Sequence, residues 1–123
     1  RCQGKLLAYT ATNNECPSEP PKEGDLIVNP GFPPSIPCDY ALVVSSGQLV
    51  ELNIEFLEAN ECCDYLEIFE GPIASMNHLM EIRTGTDTGI ITTKTSNVMT
   101  VTWVPGGAVD VRGFKMTFKG IDP

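Results

Sequence analysis

Apolar and polar residues alternate along several short stretches of this chain, and glycine and proline residues separate these stretches. The clearest alternation runs over residues 50–56 and returns over residues 98–104 and 113–118. A period of two predicts strands with one buried and one solvent-facing side. Further strands are predicted over residues 24–28, 38–44, 64–71 and 90–95. Because apolar residues nowhere recur at helical spacing for three turns, the pattern predicts an all-β protein, an antiparallel β-sandwich.

The alternation also predicts the positions of individual side chains. Phe56 is expected on the buried side of its strand, together with Ile54. Over residues 73–89 the pattern is weaker, and Leu79 and Ile82 are the expected core contacts there. These four apolar side chains are therefore predicted to be shielded from solvent.

The chain length suits one domain with a single hydrophobic core. A proline cluster at residues 17–21 stops any strand or helix there, although residues 6–12 are a candidate edge strand. We therefore expect an N-terminal arm over residues 1–23, tethered by disulfides, and a β-sandwich over residues 24–123.

Acidic residues dominate the middle of the chain. The net charge is −8, and no lysine or arginine occurs between Glu23 and Ile82. Such a field repels phosphate backbones and anionic membranes and favours cationic partners or metal ions, so nucleic-acid binding is excluded. A solvated acidic surface that aids solubility is the alternative. No apolar run approaches the length of a membrane span, so direct membrane insertion is not expected.

Five cysteines in so short a chain predict disulfides and an oxidising, extracellular compartment. Zinc is the competing explanation, but no Cys-x-x-Cys pair exists and His78 is the only histidine. Because the number of cysteines is odd, one thiol is either free or bonded to another chain. A covalent dimer is therefore one of the alternatives.

Four segments resemble, in order, the motifs of the CUB domain family. They are residues 27–33, Cys38–Tyr40, Asp64–Gly71 and Gly113–Phe118. The resemblance runs from about Cys16 to Lys119. It implies a jelly-roll-like sandwich of two antiparallel sheets with an extracellular adhesion or recognition role. The doubled cysteine before Asp64 is similar, more loosely, to CUB domains found beside C-type lectin domains in secreted nematode proteins.

The resemblance also implies two disulfides, of which the first maps to Cys16–Cys38. The second joins, in the family, a cysteine before the aspartate strand to a later cysteine, whose position is occupied here by Thr84. Cys62 or Cys63 is therefore expected to bond Cys2, which stabilises a fold by roughly 3–5 kcal/mol in the chain-entropy model. A bond between Cys62 and Cys63 that leaves Cys2 free is the alternative.

A calcium site is a further implication of the resemblance. Glu58 and Asp64 match two of the family's calcium ligands, but the third position falls at residues 105–107, which offer no carboxylate. Calcium wants six to eight oxygens, so only weak calcium binding and no other cofactor is expected. In the alternative, Asp64 caps or hydrogen-bonds a neighbouring loop.

The same residues are candidates for contact with a partner. Glu58, Asp64 and Tyr65 could present an acidic socket to a basic side chain. On the face of the strand opposite its core residues, Tyr65 and Phe69 beside Glu67 would supply exposed aromatic anchors. In the alternative, these aromatic side chains pack under the following loop.

The sequence predicts no catalytic residues. His78 lies outside any nucleophile motif, and so small a sandwich rarely provides a cleft for paired carboxylates. We therefore expect a secreted, non-catalytic module that binds an extracellular protein or glycan and forms part of a larger protein. The alternatives are a structural spacer or disulfide-linked dimerisation module, and calcium-dependent binding through the incomplete site.

Overall fold

The structure is a computed structural model that describes residues 15–31, 34–107 and 110–123. Eight strands and a 3-10 turn at Met76–His78 follow one another along this part of the chain. The strands are β1 (Ile27–Val28), β2 (Cys38–Val43), β3 (Leu49–Glu58), β4 (Tyr65–Glu70), β5 (Leu79–Arg83), β6 (Gly89–Thr92), β7 (Val98–Val104) and β8 (Gly113–Ile121).

The strands form two four-stranded sheets. The first sheet has the order β1-β8-β3-β6, and the second sheet has the order β2-β7-β4-β5. Every strand pair described in the two sheets is antiparallel. The predicted all-β, jelly-roll-like antiparallel sandwich is confirmed.

The core is built from the apolar residues that both sheets turn inward. Leu52 and Met116 come from the first sheet and Val101 and Trp103 from the second, and all four are fully buried. The Trp103 indole N–H donates a hydrogen bond to the carbonyl oxygen of Pro34 at 3.0 Å. Burying one such side chain contributes about 1.5–3 kcal/mol to folding. The core therefore holds the two sheets together and fixes the positions of the surface residues described below.

The predicted position of Phe56 is wrong. The register of β3 against β8 shifts between Ile54 and Phe56, and Leu57 is buried instead. Phe56 is half-buried, and the Arg112 guanidinium lies 5.0 Å from its ring centroid. The β-bulge adds one residue to the strand, so the alternation resumes one position later.

The segment with the weak pattern contains an edge strand, β5, which the sequence did not predict. Ile82 on this strand is 45% exposed and lies opposite Glu67, so the expected core contact at Ile82 is wrong. Leu79 is half-buried, and Met80 is the β5 side chain that packs against the core. The register of β4 against β5 shifts in this segment. The shift disturbs the alternation of apolar and polar residues, so a search for a period of two does not find the strand.

The segment before β1 is bonded covalently to the second sheet. Cys16 and Cys38 form the predicted disulfide, with 5.6 Å between their Cα atoms. Because Cys38 begins β2, the bond fixes an otherwise exposed stretch against that strand. The candidate strand over residues 6–12 lies outside the described residues, and the division into an arm and a sandwich at residue 23 stays a prediction.

Candidate functional site

Asp64 is the buried centre of the predicted site, with 1% of the residue exposed. One carboxylate oxygen accepts a hydrogen bond from the backbone N–H of Asn60 at 2.9 Å, and the other accepts one from the backbone N–H of Gly106. The Asp64 N–H in turn donates to the carbonyl oxygen of Asn60 at 2.9 Å. The side chain therefore caps the turn between β3 and β4 and holds that turn against the loop after β7.

The doubled cysteine lies in this turn. Cys62 and Cys63 are bonded to each other, so the pairing of one of them with Cys2, preferred on the sequence, is replaced by the alternative. The turn accounts for the difference, because the Cys63 N–H donates to the carbonyl oxygen of Asn60 at 2.8 Å and keeps the two cysteines within one tight bend. Cys2 lies outside the described residues.

Gly106 packs directly on the backbone of Cys63. A Cβ atom at Gly106 would overlap the Cys63 carbonyl group and Cβ atom. Only glycine therefore permits the approach that lets the Gly106 N–H reach Asp64.

Glu58, the last residue of β3, is bound to a cation of the same chain. Its Oε1 atom accepts hydrogen bonds from the backbone N–H of Arg112 at 2.7 Å and from Nε of Arg112 at 3.0 Å. The Arg112 guanidinium lies above Phe56 at the same time. The Glu58 carboxylate thus fastens the start of β8 rather than standing open to solvent.

These residues do not fit the calcium site that the resemblance implies. Both carboxylate oxygens of Asp64 accept backbone hydrogen bonds, Glu58 binds a guanidinium, and residues 105–107 supply no carboxylate. Across the described residues no group of three or more histidine, cysteine or acidic side chains could hold a metal ion. The arrangement is that of a turn closed by hydrogen bonds, which agrees with the capping alternative for Asp64.

The two aromatic residues of β4 differ from the predicted exposed anchors. Tyr65 is half-buried, and its hydroxyl donates a hydrogen bond to the carbonyl oxygen of Cys62. Phe69 is only 2% exposed, so its predicted exposure is wrong. It lies opposite Thr100 on the outer side of the sheet, and the Thr100 hydroxyl donates at 2.8 Å to the carbonyl oxygen of Gly71 in the following loop. The start of the loop after β4 is therefore hydrogen-bonded to the residue opposite Phe69.

The outer side of the second sheet carries an exposed surface of mixed character, which we call the acidic face. We define it by Asp39 and Val43 on β2, Glu67 on β4 and Ile82 on β5. Val43 is 52% exposed, and Glu67 lies opposite both Thr102 and Ile82. Sequence reasoning identified Glu67 but missed the other three residues, although alternation along β2 would have placed Asp39 and Val43 outward.

The acidic face has no compensating positive charge among the described residues. Arg83 is the one cation in the strands of the second sheet, and it pairs with Glu81 at 2.8 Å and with Asp87 at 3.3 Å. Asp39 accepts a hydrogen bond from the hydroxyl of Thr102 at 2.8 Å but forms no ion pair with a described residue. The face is therefore apolar and negatively charged.

His78 lies in the exposed 3-10 turn, where its Nδ1 atom is 2.9 Å from the hydroxyl oxygen of Ser75. In the described parts of the chain, no helix has the length and apolar character that a membrane crossing requires.

Comparison with known proteins places this fold among solved structures. It is similar to the CUB1-EGF-CUB2 domain of human MASP-1/3, with a TM-score of 0.70 and 21% identity, over 87% of this chain and 43% of that one. It is also similar to the CUB1-EGF-CUB2 domains of rat MASP-1, with a TM-score of 0.65 and 17% identity, over 85% of this chain and 41% of that one. The chain spans less than half the length of these structures, and the low identity shows a shared fold alone.

Sequence comparison gives the family. No curated protein sequence matches this chain. The family model of the CUB domain matches residues 22–118, which is most of the chain and includes all eight strands except the end of β8. Together with the two antiparallel sheets and the Cys16–Cys38 bond, this match shows that the chain belongs to the CUB domain family.

Proposed function

We propose that this CUB domain is an extracellular recognition module that binds a protein partner through the acidic face. CUB domains are generally non-catalytic modules that occur mainly in extracellular or secreted proteins and mediate protein–protein interactions. The observation that carries the proposal is the exposure of Val43 and Ile82 on the same side of the sheet as Asp39 and Glu67, with no cation among the described residues that neutralises these two carboxylates.

The chemistry of this face favours a partner that offers a basic side chain beside an apolar contact. Apolar anchors supply most of the binding energy of an interface, while charges of one sign select the partner and speed its approach. Glu67 on β4 lies directly opposite the apolar Ile82 on β5. Asp64 and Phe69, buried beneath the surface, support the face rather than touching the partner.

The test is binding to an array of purified secreted proteins and glycans by the full chain and by variants. Ile82→Asp and Glu67→Lys are expected to weaken protein binding about tenfold or more, the range seen at interface anchors. Glu55→Lys on β3 of the first sheet is the matched control and should leave binding unchanged. Equal loss in all three variants, or binding to glycans alone, would contradict the proposal.

A covalent dimer is a second candidate, favoured by the cysteine pairing. Four of the five cysteines are bonded within the chain, which leaves Cys2. Mass spectrometry under non-reducing conditions tests this candidate: a dimer mass that collapses on reduction and is absent from Cys2→Ser supports it, and a monomer mass excludes it.

A further inference from the structure

The bond between Cys62 and Cys63 is a feature of the turn between β3 and β4 that the proposed function does not use. Cys62 is exposed, and Cys63 is half-buried. A disulfide is opened by direct attack of a thiolate on one of its sulfur atoms, so it reacts only where a thiol can reach it. The exposure of Cys62 meets this condition while the fold is intact.

The turn is joined to the rest of the fold by hydrogen bonds as well as by its own disulfide. The Thr84 hydroxyl, in the loop after β5, donates a hydrogen bond to the carbonyl oxygen of Asp64 at 2.6 Å. In the same region the Ala59 N–H donates to the carbonyl oxygen of Gly85 at 2.9 Å. Thr84 occupies the position at which the family resemblance places a cysteine bonded to this turn. The loop after β5 is therefore attached without a disulfide, and opening the bond between the neighbouring cysteines frees no long loop.

The two disulfides of the chain differ in how strongly the fold protects them. The bond from Cys16 to Cys38 restricts the unfolded chain over 22 positions, and Cys38 is buried. Because a bond that stabilises the fold is stabilised by folding to the same extent, folding favours this long-range bond. The bond between Cys62 and Cys63 restricts almost nothing in the unfolded chain and gains little from folding. A reductant should therefore open it first.

The reduced form of Cys62 has a hydrogen-bond acceptor in place. Its Sγ atom lies 3.2 Å from the side-chain oxygen of Asn60. A disulfide sulfur carries no hydrogen, so this contact becomes a hydrogen bond only after reduction, when the thiol S–H can donate. The turn thus accommodates the dithiol as well as the disulfide, as a reversible site requires.

Gly106 couples the bond to the loop after β7. It packs so closely on Cys63 that a Cβ atom would overlap the Cys63 carbonyl group and Cβ atom, and its N–H donates to Asp64. After reduction the two sulfur atoms no longer stay at bonding distance, about 2.0 Å, so the two cysteine side chains separate. The Cys63 side chain lies against Gly106, and the contact between the turn and the loop after β7 therefore depends on the state of the cysteines.

We propose that Cys62–Cys63 is a reversible thiol–disulfide exchange site that an external dithiol opens, and that opening loosens the loop after β7 from the turn. A thiolate of the dithiol attacks the Cys62 sulfur, the S–S bond breaks, and its electron pair passes to the Cys63 sulfur, which takes up a proton. The second thiolate then attacks the reductant's sulfur in the mixed disulfide, and the Cys62 sulfur leaves and takes up a proton. The protein gains two electrons and two protons, and the dithiol becomes a disulfide.

The first experiment treats the folded full chain of Cys2→Ser, which lacks the fifth cysteine, with increasing concentrations of dithiothreitol. Free thiols are blocked with N-ethylmaleimide and located by tandem mass spectrometry. Cys62 and Cys63 should be labelled at about tenfold less dithiothreitol than Cys16 and Cys38, and oxidised glutathione should restore their bond. Labelling of all four cysteines at the same concentration, or failure of the bond to form again, would overturn the proposal.

The second experiment measures amide hydrogen exchange by NMR in the oxidised and in the selectively reduced chain. Exchange at the Gly106 N–H should be about tenfold faster after reduction, because the contact with Cys63 is loosened. The Thr95 N–H, which donates to Glu70 at the other end of β4 at 2.8 Å, is the matched control and should not change. Unchanged exchange at Gly106, or an equal increase at Thr95, would overturn the coupling to the loop.

The variant Cys62→Ala/Cys63→Ala, in the same Cys2→Ser chain, separates the effect of the bond from other effects of dithiothreitol. Its Gly106 amide should exchange at the rate of the reduced chain, with or without the reagent. A response to dithiothreitol in this variant would overturn the assignment to Cys62–Cys63. None of these measurements requires a protein bound at the acidic face, so they fail or succeed independently of the function proposed above.

Discussion

The two disulfides of this domain lie in regions that are built on different principles. The bond between Cys16 and Cys38 spans 22 positions and fixes a proline-rich segment that contains no strand before β1. The bond between Cys62 and Cys63 joins sequence neighbours, and the turn around it is closed by the hydrogen bonds of Asp64.

The contrast shows that a buried acidic residue can hold two loops together where a cysteine pair would be expected to do so. A disulfide restricts the unfolded chain in proportion to the logarithm of the loop that it closes, so a bond between neighbours closes almost nothing. In the second region the buried Asp64 carboxylate joins two loops that Cys62 and Cys63 leave unconnected. The disulfide between the neighbouring cysteines is the more conspicuous feature of this turn. The aspartate, however, is the residue that connects the turn to the second loop.

The largest effect is expected from removal of the long-range bond. The double variant Cys16→Ala/Cys38→Ala should lower the free energy of unfolding by about 3 kcal/mol, because a loop of this length is freed in the unfolded state. Urea denaturation measures the loss. A loss no larger than in the double variant at Cys62 and Cys63 would remove the contrast between the two regions.

Asp64→Ala should have the next largest effect, a loss of about 2–3 kcal/mol. Two backbone N–H groups, of Asn60 and Gly106, would lose a charged acceptor in a buried site. Thermal and urea unfolding measure the change. Glu67→Ala is the matched control, since this half-buried carboxylate accepts no hydrogen bond from a described residue and should change stability by less than about 0.5 kcal/mol. Equal effects from the two variants would show that Asp64 does not join the loops.

Removal of the neighbouring bond should cost little global stability. Cys62→Ala/Cys63→Ala is expected to lower the free energy of unfolding by less than about 1 kcal/mol, because no long loop is freed. Its effect should be local: faster hydrogen exchange at the Gly106 amide, which packs on Cys63 and donates to Asp64. Unchanged hydrogen exchange at the Gly106 amide, together with a large loss in the free energy of unfolding, would reverse the ranking of the two disulfides by their effect on stability.

The smallest effect concerns Glu70, which closes a turn at the other end of β4 in the manner of Asp64. Its carboxylate accepts hydrogen bonds from the backbone N–H groups of Lys94, Thr95 and Ser96 at 2.8–3.1 Å. Partial desolvation raises the pKa of Glu70, but these hydrogen bonds together outweigh it and bring the pKa below its ordinary value of 4.5.

A lowered folded-state pKa gives stability that is present above pH 4.5 and is lost as the pH falls through the folded pKa. Because Glu70 is only partly buried and solvent screens its charge, Glu70→Gln should be less stable than the natural chain by only about 0.5 kcal/mol at neutral pH. The difference should shrink as the solution is acidified below the ordinary pKa. Urea denaturation across this pH range checks the sign, and a difference that grows on acidification would contradict it.

Alternation was sufficient to predict the two-sheet sandwich, because most strands keep a period of two and turn their apolar side inward. It failed where the local geometry departs from that period. Phe56 follows a bulge in β3, and Ile82 lies on an edge strand whose register shifts against β4. Neither irregularity leaves a trace in the residue types, since a bulge is set by pairing with a distant strand.

Prediction of the site from the sequence has the same limit, because local geometry cannot be read from the residue types. The sequence predicted an acidic turn at Asp64, but only the fold shows that both carboxylate oxygens are occupied by the N–H groups of Asn60 and Gly106. Phe69 faces the side that alternation predicts, yet it is buried there. The buried Tyr40 hydroxyl has no hydrogen-bond partner among the described residues, and the sequence could not show this, because it depends on which side chains the fold brings near it.

The strand order also sets the sequence in which the domain can assemble during synthesis. The last strand, β8, lies inside the first sheet between β1 and β3, and Ile27 pairs with Met116. The first sheet therefore cannot close until nearly the whole domain has left the ribosome, and such pairing of distant segments is slow. The second sheet needs nothing beyond Val104. The sheet that bears the acidic face is thus the earlier of the two that the emerging chain can complete.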